Sequence, residues 1–146
     1  MKQFVFTLQA LYDMQEGLEK QVKMQMGMIE TELAQRLREM DTLNASFEKS
    51  QNEYCSAMAG GVAAVRIKNY GCFFERLRAV MLLQQGKISQ LESEKEKCLQ
   101  RLIHVRREKM LLEKLREEQY SAYMGEVRKQ QAKMMDDFVS YKTTIS

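Results

Sequence analysis

Apolar side chains recur at helical spacing along almost the whole chain. The first series is Phe4, Leu8, Leu11, Leu18, Val22, Met26, Ile29, Leu33, Leu37, Met40, Leu43, Phe47, Tyr54 and Met58. Its steps are mostly three and four, which sets these residues on one stripe of a helix. The run 29, 33, 37, 40 steps four-four-three, the signature of a stutter that relaxes the heptad locally. Charged residues such as Glu19, Lys23, Glu30, Arg36 and Arg38 fall between them as solvated faces. This pattern predicts a helix over about 3–57. The second series runs through Tyr70, Phe73, Phe74, Leu77, Met81, Ile88, Leu91, Cys98, Leu102, Val105, Leu112, Leu115, Tyr123, Val127, Met134, Phe138 and Tyr141, and predicts a helix over about 66–141. Lys95 and Lys109 fill two of its apolar positions, where their alkyl stems can lie along the seam while the ammonium reaches water.

Between the series lies an uncharged stretch, residues 57–64, holding the adjacent pair Gly60-Gly61. Gly-Gly tolerates positive φ and marks a bend over about 58–65. An antiparallel hairpin centred near residue 62 pairs positions summing to about 124. Tyr54 then meets Tyr70, Phe47 meets Leu77, Leu33 meets Leu91, Val22 meets Leu102 and Leu11 meets Leu112. The expected fold is all-α: an elongated two-helix antiparallel coiled-coil hairpin with a longer C-terminal helix, one domain over 1–146. One unbroken helix in an intermolecular coiled coil is the competing layout. In the hairpin, Phe4 lies opposite residue 120, leaving residues 121–141 beyond the N-terminus. That overhang keeps apolar residues and spans about 30 Å at ~1.5 Å per residue. It is either a frayed tail, or one covered by neighbouring molecules or a dimer, or a helix that enters a partner's groove or channel.

Composition fits this rod. Ala, Glu, Lys, Leu and Arg supply 64 of 146 residues and there is no proline, so no residue clashes with a preceding helical turn. The net charge of +3, from 23 basic and 20 acidic residues, is too balanced for a dedicated nucleic-acid binder. Three widely spaced cysteines, Cys55, Cys72 and Cys98, form no CxxC pair and suit a reducing compartment. No apolar run approaches the ~20 residues that span a bilayer, and the N-terminus lacks a signal-peptide pattern. A cytoplasmic protein is expected.

Catalytic chemistry has no visible constellation. His104 is the only imidazole, which removes triads and histidine-based metal sites. The glycine pair precedes no Lys-Ser or Lys-Thr of a phosphate loop. The glutamates of 94–118 interleave with lysine and arginine as ion-pairing faces. The expectation is a non-enzyme with no cofactor and no metal. Two features suit binding instead. Arg101, Arg106, Arg107 and Lys109 lie in the densest basic stretch, either a solvated face or an electrostatic contact to an acidic partner surface. Phe73 and Phe74 point about 100° apart near the bend. Either one is an exposed anchor, or both wrap over Phe47 and Tyr54.

These residues carry a family resemblance. The start Phe4-Val5-Phe6-Thr7-Leu8-Gln9-Ala10-Leu11-Tyr12-Asp13 resembles that of the FliJ family of flagellar type III export proteins. Gln51-Asn52-Glu53-Tyr54, the glycine bend, and Asn69-Tyr70 with Phe73 and Leu77 are similar to that family's middle. Glu113-Lys114-Leu115 and Lys133-Met134-Met135-Asp136-Asp137-Phe138 resemble its later segments, with Asp137 where Glu is common.

The resemblance implies a non-enzymatic component of the flagellar export apparatus, shaped like the stalk of a rotary ATPase. Implied partners are the hexameric export ATPase, the export-gate membrane protein and export chaperones. Nucleic acid is not implied, and membrane association would be peripheral and through partners, at the cytoplasmic face of the inner membrane. By position, Phe73, Leu77 and Val80 match the gate-contacting segment. Phe4, Leu8, Tyr123, Val127, Met134 and Phe138 would face the ATPase ring. A self-associating structural coiled coil, or the equivalent stalk of a virulence injectisome, are the alternatives.

Overall fold

The computed structural model describes residues 2–145; the outermost positions of the expected 1–146 span, Met1 and Ser146, lie outside the described residues. Two helices make up nearly all of it: α1, Gln9–Ala59, and α2, Ala64–Ile145. No strand occurs among the described residues, and the architecture is an all-α helical hairpin of coiled-coil type. Contacts group the chain into two compact units, one of Val22–Arg101 and one combining residues up to Gln21 with those from Leu102 onward.

The unit Val22–Arg101 contains the bend. α1 ends as Gly61 takes φ +81°, in the left-handed region that suits glycine, and its N–H bonds the Met58 carbonyl at 3.4 Å. This is the bond expected between a left-handed glycine cap and the last helical turn. Below it, Phe47, Tyr54, Tyr70 and Phe74 form an aromatic group with ring centroids 5.4–6.4 Å apart. Each such pair adds about 0.5–1.5 kcal/mol beyond its burial. Farther along, Leu33, Ile88 and Leu91 make the apolar core with Met40 packed against it. The Cys98 thiol is fully buried, 3.6 Å from the Val22 carbonyl.

The seam is a stricter heptad than the apolar pattern suggests. From Val22 to Ala57 the covered positions of α1 alternate four and three, with Arg36 and Ser50 taking their turns. The expected stutter at Leu37 is absent: Leu37 is 45% exposed while Arg36 is half-buried. Polar residues in the seam had disguised its period. Opposite Arg36 lies Gln84, a buried polar residue whose side-chain amide donates to the Arg36 carbonyl (3.1 Å) and to Glu39 (2.9 Å). Arg36 donates in turn to the Gln84 side-chain oxygen at 3.4 Å. Lys95 meets Glu30 at 3.9 Å.

The second unit joins the residues before Val22 to the later part of α2. α1 begins at Gln9 rather than near residue 3, because Phe4-Val5-Phe6-Thr7 is aromatic and β-branched, with low helix propensity. Residues 2–8 instead run non-helically over α2, burying Phe6. Phe4 packs on Tyr120 and Tyr123 (centroids 5.2 and 5.6 Å), and the Tyr123 hydroxyl donates to the Lys2 carbonyl at 2.8 Å, so the segment keeps the hairpin's register.

Cover by residues 2–8 shortens the overhang. Tyr123 and Val127 are partly covered, so the fully exposed part of α2 begins at Arg128 and runs to Ile145. Leu11, Leu18 and Leu115 also turn outward, 45%, 37% and 41% exposed. Tyr12, Gln15 and Glu19 take the seam positions instead.

Candidate interaction surfaces

The three candidate gate-contact residues do not share one environment. Phe73 and Val80 stand 43% and 51% exposed on α2, whereas Leu77 between them is 9% exposed and belongs to the seam. Leu77 therefore fixes the height of the exposed pair rather than presenting its own side chain. Phe74 turns inward onto Phe47 while Phe73 stays at the surface, its ring 6.0 Å from that of Phe74. Beside Phe73 an open groove is lined by Ser50, Glu53, Arg66, Asn69 and Tyr70.

The candidate ring contacts divide as well. Phe4, Leu8, Tyr123 and Val127 are half-buried around the N-terminal segment. Met134 and Phe138 are 72% and 59% exposed, and Met135, Val139, Tyr141 and Ile145 join them.

The basic candidates split in the same way. Arg101 and Arg107 are exposed. Arg106 and Lys109 both reach Glu19, at 4.0 and 3.4 Å, and Lys109 also lies 5.7 Å from the Tyr12 ring. Desolvation lowers the Lys109 pKa, but its hydrogen bond and charge attraction to Glu19 outweigh this and raise it. The Tyr12 hydroxyl donates to Glu113 at 3.2 Å, and its pKa is raised by partial burial and then by that bond. Two of the four expected electrostatic contacts are thus committed to holding the hairpin.

Glu19, Arg36 and Gln84 escaped the apolar pattern because they are polar residues on seam positions. Counting strict four-three steps outward from Val22 and from Leu91 reaches all three. Among the described residues no group of three or more His, Cys, Asp or Glu side chains could hold a metal ion. None of the helices is long and apolar enough to cross a membrane, again among the described residues.

Comparison with known families matches residues 4–144 to the flagellar FliJ protein. Comparisons with curated proteins and with solved structures gave no significant match. The family is a structural component associated with flagellar export rather than a known enzyme family. With its match running through both helices and the bend, the chain belongs to the FliJ family.

Proposed function

We propose that this chain is a non-enzymatic stalk of the flagellar type III export apparatus. It sits in the hexameric export ATPase ring, links that ring to the export-gate membrane protein, and helps recruit export chaperones. It works at the cytoplasmic face of the inner membrane, and motility depends on it. The observation that carries this reading is the end of α2. Past the last contact with the N-terminal segment, residues 128–145 remain helical with every residue exposed. With no tertiary contact this helix end rests on propensity alone, and its exposed apolar side chains call for a covering surface.

One asymmetric helix end inside a six-fold ring meets six similar surfaces in turn, so its binding biases ring assembly and nucleotide turnover. Phe73 and Val80 serve the gate, with Leu77 behind them, and Arg101 and Arg107 supply charge steering toward an acidic surface. The test is ATPase activity of the cognate ring with the full chain and with a chain lacking residues 128–146. Stimulation by the full chain alone is expected; equal stimulation by both removes the helix end from the mechanism. For the gate, Phe73→Ala with Val80→Ala should abolish gate capture and swimming at unchanged helicity. Normal swimming would sink that assignment.

A further inference from the structure

The apolar stripe at the end of α2 is not a continuation of the hairpin seam. Extending the seam heptad past Tyr123 reaches Glu126, Gln130, Lys133 and Asp137, all polar. Four of the six large exposed apolar residues there instead fall one position later, at Met134, Phe138, Tyr141 and Ile145, in steps of four, three and four, with Met135 and Val139 one place further round. One residue is about 100° of helix rotation. The stripe therefore faces a direction that α1 does not occupy, and its four-three spacing is that of a second coiled-coil seam.

We infer that this second seam pairs with the same seam of another copy of the chain, the two α2 ends running parallel and in register. Charge decides the occupant and its direction. Asp137 immediately precedes Phe138, and Lys142 immediately follows Tyr141, so the two flank the stripe on opposite sides, five residues apart. In a parallel pair that spacing sets Asp137 of each copy against Lys142 of the other, twice by symmetry. In an antiparallel pair like flanks face each other, and Asp137 meets Gln130, Thr144 or another Asp137, with no attraction gained. The Lys142 ammonium already lies 6.0 Å from the Phe138 ring, beside the stripe. The pairing segment holds fewer than three heptads, so the dimer is weak and reversible. Pairing covers the apolar stripe in the free chain, and a ring that takes the same helix end competes with it.

The test is sedimentation of the purified full-length chain over a concentration series, with no ATPase present, so it is independent of the stalk reading. The expected result is a monomer–dimer equilibrium that Phe138→Ala with Tyr141→Ala shifts wholly to monomer. Asp137→Lys should weaken the dimer, and adding Lys142→Asp to it should restore pairing. For orientation, Tyr141→Cys in a background with Cys55→Ser and Cys72→Ser should oxidise to a covalent dimer. A monomer at all concentrations overturns the inference, as does a dimer indifferent to the charge exchange. Failure of the Tyr141→Cys chains to join, with the dimer intact, overturns the parallel in-register arrangement.

Discussion

Gln84 donates a hydrogen bond across the seam to the backbone carbonyl of Arg36 at 3.1 Å, from a side chain only 6% exposed. Its second amide hydrogen goes to Glu39, and its oxygen accepts from the Arg36 guanidinium. A buried amide satisfied this fully costs little in place but is expensive if the partner slides away. A one-heptad slip would put an apolar layer opposite it. Gln84 is thus a register marker amid Leu33, Met40 and Ile88.

Two substitutions separate its roles. Gln84→Ala should destabilise the hairpin by about 1–3 kcal/mol, since it removes the amide's hydrogen bonds and leaves a gap in the seam, while Arg36 and Glu39 keep their own ion pair at 3.7 Å. Gln84→Leu should be neutral or stabilising but should relax pairing, as replacement of a buried polar layer by apolar residues can. Urea unfolding and cross-linking between cysteines placed at Glu30 and Lys95, which meet across the seam, check this. A Gln84→Leu chain that keeps a single cross-linking register would show that the bend alone sets the alignment.

The hairpin and its register near a sum of 124 were legible because apolar residues dominate the seam. Tyr54 meets Tyr70 and Phe4 meets Tyr120 as that sum requires. What the apolar pattern concealed was polar chemistry at seam positions. Arg36 and Glu19 read as solvated charges, yet the first is half-buried and the Glu19 side chain is 13% exposed. The N-terminal segment departs from the helical pattern for the opposite reason. Phe4 and Leu8 sit four apart as in a helix, and the β-forming character of Val5-Phe6-Thr7 outweighed that spacing. At the candidate gate surface, the family resemblance groups Phe73, Leu77 and Val80, but a residue's distance from the seam sets its exposure, and Leu77 lies on the seam itself.

Gly61 and Gly60 should respond differently to the same change. Gly61 has φ +81°, where an alanine costs about 1–2 kcal/mol. A Cβ at Gly60 would meet the carbonyl oxygens of Ser56 and Ala57 at 3.7 and 3.8 Å, an ordinary contact. Gly61→Ala should lower the thermal midpoint, while Gly60→Ala should leave it close to the original or raise it. Equal effects at both positions would contradict the assignment of the bend to Gly61.

The three thiols should separate under alkylation of the native chain. Cys55 and Cys72 are exposed and Cys98 is fully buried beside Val22. Two cysteines should react at the rate of a free thiol, and the third only as fast as the Val22–Arg101 unit opens. Mass spectrometry of peptides after timed labelling reads this directly. Rapid modification of Cys98 would mean that the seam opens there on the timescale of labelling.

Alkali should loosen the unit in which the start of α1 meets α2. Tyr12 and Lys109 both have folded-state pKa values raised above their ordinary ones. A raised pKa means that the folded state holds its proton more tightly than the unfolded chain. The stabilisation is complete below the ordinary tyrosine and lysine values and fades as pH climbs through the raised ones. Above that window Tyr12 becomes an anion facing Glu113, and Lys109 loses its attraction to Glu19. The thermal midpoint should therefore fall with pH in the range where tyrosine and lysine titrate. Tyr12→Phe should remove part of that slope, because the ring and its packing remain while the titrating hydroxyl is gone. Circular dichroism melts of both chains across the alkaline range measure it. Identical slopes for the two would show that Tyr12 ionisation is not linked to folding.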